Sequence, residues 1–92
     1  MTLALIGLMS CGKQPTSNFT WEPQDPIAGE EVQFTNKSLN AERYSWNLGN
    51  MKISSDENPK NIYETAGDYI IDLRVYNGSK SDEKTVTISV SP

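Results

Sequence analysis

From residue 18 onward the sequence consists of short runs in which apolar and polar side chains alternate, separated by turn-forming residues. The longest run places Ile71, Leu73 and Val75 on one side of a strand. Directly after it, Asn77 and Gly78 favour a tight type I′ hairpin turn, since both residue types tolerate positive φ. No useful stretch repeats at the helical period of about 3.6 residues. The pattern therefore predicts an all-β sandwich of short antiparallel strands.

One group of motifs narrows this fold class further. Residues 44–50 read Tyr-Ser-Trp-Asn-Leu-Gly-Asn, residues 58–59 read Asn-Pro, and Tyr63 precedes Ala-Gly-Asp-Tyr at 66–69. This order resembles the signature of the PKD domain family, W-D-F-G-D-G, then N-P, then Y-x-x-x-G-x-Y. The resemblance runs from about Asn18 to Val90. It implies a seven-stranded, immunoglobulin-like antiparallel β-sandwich over residues 18–92, with a fibronectin-III-like sandwich as the nearest alternative.

The immunoglobulin-like layout implies roles for particular side chains. Trp46 is expected in the core, and Tyr69 is expected to form a tyrosine corner whose hydroxyl returns to the backbone upstream. Phe34 and Ile71 would stand where antibody domains carry a disulfide. The chain departs from the PKD pattern in one place, where the two aspartates are Asn47 and Asn50 and the second glycine is Met51. Since a left-handed conformation is costly for methionine, we expect an altered turn there.

The first residues predict a leader. Residues 2–9 form an uncharged apolar run that is too short to span a bilayer but has the length of a signal-peptide core. Leu8-Met9-Ser10-Cys11 resembles the lipobox of bacterial lipoproteins, although no Lys or Arg precedes the run. The resemblance implies cleavage before Cys11 and acylation of that residue. We predict a lipoprotein signal peptide over 1–10, with the lipidated cysteine and a polar tether over 11–17.

The same resemblance implies a location in the bacterial cell envelope, with membrane attachment through the lipid on Cys11. Gly12 follows the cysteine, where the best-known rule for retention at the inner membrane requires aspartate. We therefore predict the outer membrane.

Composition excludes several classes of function. The net charge is −4, from 12 acidic and 8 basic residues, which argues against a nucleic-acid partner. There is no histidine and only one cysteine, so the sequence offers neither an imidazole base nor a Cys/His zinc site. Glu30 and Glu31 are adjacent on a predicted strand and so point to opposite faces, which prevents them from acting as a catalytic pair. We predict no enzymatic activity, no cofactor and no metal.

Two surfaces are candidates for binding. Three predicted strands, near residues 43–48, 69–76 and 85–90, share an outward face that carries Arg43, Asn47, Arg74 and Tyr76. A tyrosine beside an arginine is typical of interface hot spots. A merely solvated face is the alternative. The second candidate is Trp21, whose indole either fills extra core or offers an exposed aromatic platform.

An acidic loop at 54–58 has oxygen ligands but lacks the spacing of a calcium loop, so we interpret it as solvated. The sequence therefore predicts a non-catalytic lipoprotein whose PKD-like domain mediates adhesion or protein–protein interaction. Carbohydrate binding at the cell surface is the alternative. The partner is thus an unknown protein or polysaccharide.

Overall fold

The computed structural model describes residues 12–92, and within that range every regular element is a strand. A three-stranded sheet has the order β1-β2-β5 and a four-stranded sheet the order β4-β3-β6-β7, with all neighbours antiparallel. The strands are β1 (Phe19–Glu22), β2 (Glu31–Asn36), β3 (Arg43–Asn47), β4 (Ile53–Ser54), β5 (Lys60–Ile62), β6 (Gly67–Asn77) and β7 (Lys80–Val90). The predicted seven-stranded sandwich is confirmed.

The core lies between the two sheets and is organised around one tryptophan. Trp46 is 1% exposed, and its ring centroid lies 5.1 Å from that of Phe19 and 5.5 Å from that of Phe34. The indole N–H donates a hydrogen bond of 2.9 Å to the Asp56 carbonyl, so the buried polar atom is satisfied. Phe34 and Ile71 are both fully buried, as expected for residues that replace a disulfide by packing.

The hairpin of β6 and β7 confirms the alternation seen in the sequence. Both strands have 11 residues and pair without a slip from Gly67↔Val90 to Asn77↔Lys80. The turn itself is Gly78-Ser79, and of these two residues only Gly78 has positive φ, at 63°. That is the type II′ pattern, so the prediction of a type I′ turn at Asn77 and Gly78 is wrong by one position.

The turn between β3 and β4 also differs from expectation. The Leu48 N–H donates to the Lys52 carbonyl at 2.9 Å, which closes a turn over residues 49–51. Met51 adopts φ 69°, the left-handed conformation that we expected it to avoid, and its side chain is 99% exposed. The turn therefore keeps a left-handed residue at this position and places a methionine there.

The predicted tyrosine corner is present at the start of β6. The Tyr69 hydroxyl donates a hydrogen bond of 2.6 Å to the Thr65 carbonyl, four residues upstream. The ring of Tyr63 lies 4.5 Å from that of Tyr69, and the buried Tyr63 hydroxyl donates to the Leu48 carbonyl at 2.7 Å. Burial raises the pKa of Tyr63 above its ordinary value. The Tyr69 hydroxyl thus ties β6 to the loop before it, and the Tyr63 hydroxyl ties that loop to the residue after β3.

Residues 12–17, predicted as a tether, lie against the domain instead. Pro15 is buried, and Thr16 exchanges backbone hydrogen bonds with Leu39. The Ser17 hydroxyl donates to the Leu73 carbonyl at 2.8 Å, and its N–H donates to Asp82. No helix within residues 12–92 is long and apolar enough to cross a membrane.

Candidate binding face

The solvent side of the four-stranded sheet, here called the outer face, brings the predicted residues together in rows. Residues directly opposite each other in an antiparallel pair point to the same side, so Arg43, Tyr76 and Ser81 form one row across β3, β6 and β7. The Arg43 guanidinium lies over the Tyr76 ring, 4.6 Å from its centroid. This is a cation–π pair, and it covers one side of the ring.

A second row contains the one ion pair of the described residues. Arg74 Nη2 lies 2.9 Å from Glu83 Oε1, and the two side chains are 43% and 41% exposed. An exposed pair of this kind contributes little to stability, because water and salt screen both charges. Asp72, by a side-chain hydrogen bond and by charge repulsion, raises the pKa of Glu83 above its ordinary value. The row therefore supplies a local charge pattern more than rigidity.

The third row includes Asn47, which faces the same side and also stabilises the neighbouring turn. It stands directly opposite Asp72, which is in turn opposite Thr85. The Asn47 side-chain oxygen accepts a hydrogen bond of 3.1 Å from the Gly49 N–H. Thr85 donates to Asp72 at 2.9 Å. All four predicted face residues thus share one surface, and Asn47 also supports the turn beside it.

The structure adds an apolar corner that the sequence analysis missed. It consists of Met51, Ile53 and Ile70, which are 99%, 81% and 60% exposed. Ile53 pairs with Asn47 on the outer face, and Ile70 lies beside Gly49, two residues before Asp72. Three exposed apolar side chains at one end of a sheet are a recognisable signal for contact with another molecule. In the sequence they are separated, which concealed the cluster.

Two shallow grooves run beside β3 where β4 ends. One is about 390 Å³ and is lined by Glu42, Arg43, Tyr44, Ser55 and Glu57. The other is about 400 Å³ and is lined by Ser45, Ile53, Ser54 and Ser55. They share Ser55, so they lie side by side along the edge of the outer face. Arg43 lines the first groove, and Ile53 of the apolar corner lines the second.

Trp21, the second candidate, lies on the other sheet and points inward. It pairs with Phe34, and its ring centroid lies 6.1 Å from that of Phe19. The indole is half-buried against the core, and its N–H donates to the Gln24 carbonyl at 3.3 Å. Of the two interpretations left open, extra core at the sheet edge fits this geometry better than an exposed platform.

The acidic loop lacks the arrangement of a metal site. Among residues 12–92 no group of three or more acidic or cysteine side chains could hold an ion. The Asp56 N–H donates a hydrogen bond of 3.0 Å to the Ser54 hydroxyl, which closes a local turn in this loop.

The predicted lipidation residue, Cys11, lies outside the described residues. The chain enters the domain beside the β6–β7 hairpin, where Asn77 donates to the Lys13 carbonyl and Lys80 to that of Gly12.

One protein family and one known protein match this chain in sequence. A family model described as the PKD domain matches residues 12–91. The collagenase ColA of Bacillus cereus is 33% identical over 78 residues, which is 76% of this chain but 8% of the collagenase. The chain therefore spans a small part of that relative.

Solved structures show the same fold. The PKD1 domain of Vibrio anguillarum Epp is 27% identical with a TM-score of 0.75, and the match covers 87% of this chain and 96% of that one. Another similar structure comes from work on the structural basis for the promiscuous specificity of carbohydrate-binding modules from the β-sandwich superfamily. It is 26% identical to this chain, with a TM-score of 0.80. That match covers 86% of this chain and 35% of the other.

Proposed function

Because this chain belongs to the PKD domain family, we propose that it is a non-catalytic binding module that contacts a protein partner through its outer face. The observation that carries the proposal is the joint presence, on one sheet face, of the Arg43–Tyr76 pair and the apolar corner. Neither feature contributes to the hydrophobic core, because the core lies on the inner side of this sheet, between the two sheets. Arginine, tyrosine and exposed aliphatic side chains are the residues from which interface hot spots are built.

The state of the Tyr76 ring supports a protein partner over a polysaccharide. Sugar rings bind by stacking on an open aromatic face, but Arg43 already occupies one side of Tyr76. A guanidinium stacked in this way is preorganised to donate hydrogen bonds to a carboxylate or a backbone carbonyl, because its planar N–H groups stay free at the rim. The half-buried Trp21 offers no fully open ring either. These features favour an extended polypeptide with acidic and apolar side chains.

Carbohydrate binding is the second candidate, and one observation favours it. The structural neighbour with a TM-score of 0.80 is described for carbohydrate-binding modules, and 86% of this chain superposes on it. The groove along β3 could accept a linear polymer, since serine hydroxyls line much of it. On this alternative the polymer would lie along the groove, with little stacking.

We also propose that the module is a lipoprotein of the bacterial cell envelope, anchored through Cys11. The lipobox-like residues 8–11 support this. Gly12 lies at the β6–β7 hairpin, so an anchor at the preceding residue would turn that end towards the membrane. The Arg43–Tyr76 row would then lie near the anchored end, and the apolar corner would be at the distal end. Labelling cells with a palmitate analogue tests this: Cys11→Ser should abolish the label.

The binding proposal is tested by ¹H–¹⁵N correlation spectra of the labelled chain. The probes are soluble collagen, chosen because ColA is a collagenase, and a panel of xylan, laminarin and peptidoglycan fragments. Shifts centred on Tyr76 and Ile70 with a polypeptide probe would support the proposal. Shifts along Ser45–Ser55 with a polysaccharide alone would replace it by the alternative.

Variants then locate the surface. Tyr76→Ala should weaken binding of any active probe at least about tenfold while leaving the melting temperature within a few degrees. The matched control is Ile62→Ala, which removes a partly exposed apolar side chain from the other sheet, where Ile62 is 40% exposed. Equal affinity of Tyr76→Ala and the unmodified chain would exclude the Arg43–Tyr76 row from the binding surface.

A further inference from the structure

The turn of the β6–β7 hairpin contains a chemically reactive pair of residues, Asn77 and Gly78. Asn77 is the one asparagine of the chain that precedes a glycine. Because glycine has no Cβ, its backbone nitrogen reaches the side-chain carbon of the preceding asparagine with little steric hindrance. Gly78 is exposed and Asn77 is half-buried, so water has access to the turn. This pair can therefore lose the asparagine amide by deamidation.

Deamidation at this pair needs only water and base. The Gly78 nitrogen loses its proton to hydroxide and attacks Cγ of Asn77, which closes a succinimide ring. The bond between Cγ and Nδ2 breaks, and Nδ2 takes up a proton from water and leaves as ammonia. Water then opens the ring at either carbonyl and gives aspartate or isoaspartate. Nothing is oxidised or reduced, and the net change replaces one amide by one carboxylate.

In the folded chain the residues that lead into the domain engage this same amide. Asn77 Nδ2 donates a hydrogen bond of 3.0 Å to the Lys13 carbonyl. A Cβ at Gly12 would lie 2.7 Å from Asn77 Oδ1, 2.9 Å from Cγ and 2.9 Å from Nδ2. Such similar distances to the three atoms place Gly12 over the face of the amide. The contact therefore holds the Asn77 side chain in one orientation and covers one side of the carbon that Gly78 must attack.

The product of the reaction cannot restore this contact. A carboxylate has no N–H to donate, so the Lys13 carbonyl would lose its partner and face a negative charge. Position 77 also stands directly opposite Lys80, whose amino group donates to the Gly12 carbonyl at 3.2 Å. A carboxylate at position 77 would compete for that amino group, because charge-assisted hydrogen bonds are the stronger ones. Deamidation would therefore weaken both hydrogen bonds that hold Gly12 and Lys13.

We infer that Asn77 and residues 12–13 form a one-way latch. While Gly12 and Lys13 are docked, they protect the Asn77 amide. When they lift away, the amide is free to react with Gly78, and the resulting acid keeps residues 12–13 undocked. The inference goes beyond the proposed function, since it requires neither a ligand nor a lipid on Cys11.

The latch would change how the domain is joined to the chain that precedes it. Residues 15–17 would stay in place, because Thr16 exchanges backbone hydrogen bonds with Leu39 and the Ser17 hydroxyl donates to the Leu73 carbonyl. Undocking would free only residues 12–13, which adds about 7 Å of extended chain before the domain. The domain would then lose its fixed orientation relative to the preceding chain and keep its fold.

The test follows deamidation of the full chain in a mildly alkaline buffer, with peptide mapping that separates asparagine, aspartate and isoaspartate. Gly12→Ala lifts residues 12–13, because the added Cβ has no room beside the Asn77 amide. Gly29→Ala is the matched control, since Gly29 also has positive φ but has nothing within 4 Å of an added Cβ. We expect Asn77 to convert at least about threefold faster in Gly12→Ala, the protection that roughly one hydrogen bond gives, and at the unmodified rate in Gly29→Ala.

An internal reference is present in every digest. Asn40 is exposed and precedes alanine, so its conversion reports the rate of an accessible asparagine without a following glycine. Conversion of Asn77 in Gly12→Ala that is no faster than that of Asn40 would overturn the inference. Equal Asn77 rates in the two alanine variants would do the same, because docking would then give no protection.

A second measurement examines the product directly. Asn77→Asp reproduces the aspartate form, and ¹H–¹⁵N heteronuclear NOE values of the labelled chain report which residues are docked. The Lys13 amide should become mobile in this variant, whereas the Thr16 amide, which donates to the Leu39 carbonyl at 3.0 Å, should stay rigid. A Lys13 amide as rigid in Asn77→Asp as in the unmodified chain would mean that the contact survives the carboxylate, and the latch would be refuted.

Discussion

Two glycines with the same backbone angle allow a sharp test of how tightly the end of β3 lies against β6. Gly49 has φ 88° and Gly29 has φ 87°. A Cβ added at Gly29 would meet nothing within 4 Å, whereas one at Gly49 would lie 2.8 Å from the Ile70 carbonyl oxygen and 3.1 Å from the Tyr69 Cβ. Alanine at the two positions therefore has the same conformational penalty but a different steric one.

The magnitudes follow from these contacts. A left-handed alanine costs about 1–2 kcal/mol, and a stiffer unfolded chain returns about 0.4–1 kcal/mol of that. Gly29→Ala should therefore lower the free energy of unfolding by about 0.5–1 kcal/mol. At Gly49 the backbone of β6 must also shift, which adds about 1–3 kcal/mol. Gly49→Ala should thus cost about 2–4 kcal/mol.

Urea unfolding followed by tryptophan fluorescence measures both variants, because Trp46 lies in the core. The slope of the transition should stay constant, so that midpoints report stability. The cost of the left-handed conformation cancels when the free energies of unfolding of the two variants are compared. The remaining difference is the steric cost of the contact between residue 49 and Ile70. If the two variants differ by less than about 0.5 kcal/mol, the steric reasoning is wrong.

Three further predictions concern single side chains. Tyr63→Phe should lower the free energy of unfolding by about 1–3 kcal/mol, because it leaves the buried Leu48 carbonyl unpaired; urea midpoints measure this. Met51→Gly should raise it by up to about 1 kcal/mol, since the left-handed penalty of about 1–2 kcal/mol exceeds the chain entropy of glycine and the lost side chain is 99% exposed; a lower midpoint would contradict the reasoning. The raised pKa of Glu83 means that the folded state binds this proton more tightly than the unfolded chain, so the stability from this group falls as pH rises through that pKa. Glu83→Gln should flatten the decline in urea midpoint at pH values above the ordinary pKa of a glutamate, about 4.3, and an unchanged slope would exclude this carboxyl as its cause.

Most of the fold could be predicted because it depends on side-chain polarity. The alternation around Ile71 and Leu73 determines which face of β6 is buried, whatever the loops do. Trp46 and Tyr69 were predictable because a large aromatic side chain with one polar atom has few acceptable positions in a small sandwich. Such residues need both burial and a hydrogen-bond partner, and the fold supplies both at one place.

The features that sequence reasoning missed depend on backbone contacts between distant segments. Residues 12–17 are polar and contain a proline, which is typical of a tether, yet the Ser17 hydroxyl finds a partner on Leu73, 56 residues away. Met51 is an unfavourable residue for a left-handed turn, but the Leu48–Lys52 hydrogen bond and the packing of Gly49 on β6 determine the turn. The apolar corner was missed because β3, β4 and β6 bring its members together only in the folded chain.

Asparagine suits positions 47 and 50 better than the family's aspartate, for a different physical reason at each position. Asn47 stands directly opposite Asp72, so an aspartate there would set two carboxylates face to face. Asn50 uses both ends of its amide: its oxygen accepts from Asn61 at 2.9 Å, and its nitrogen donates to the Ile62 carbonyl at 3.3 Å. An aspartate at position 50 would keep the first bond and lose the second, because a carboxylate only accepts.

A double-mutant cycle distinguishes the two reasons. Asn47→Asp should lower the free energy of unfolding at neutral pH by about 0.5–1 kcal/mol, and adding Asp72→Asn should restore it, since the repulsion needs both carboxylates. Asn50→Asp should cost about 0.5–1.5 kcal/mol for the lost donor, and Asp72→Asn should leave that cost unchanged. Urea midpoints of the three single variants, the two double variants and the unmodified chain give both coupling energies. A coupling of zero between positions 47 and 72 would mean that the departure from the family pattern at Asn47 has no electrostatic cause in this sheet.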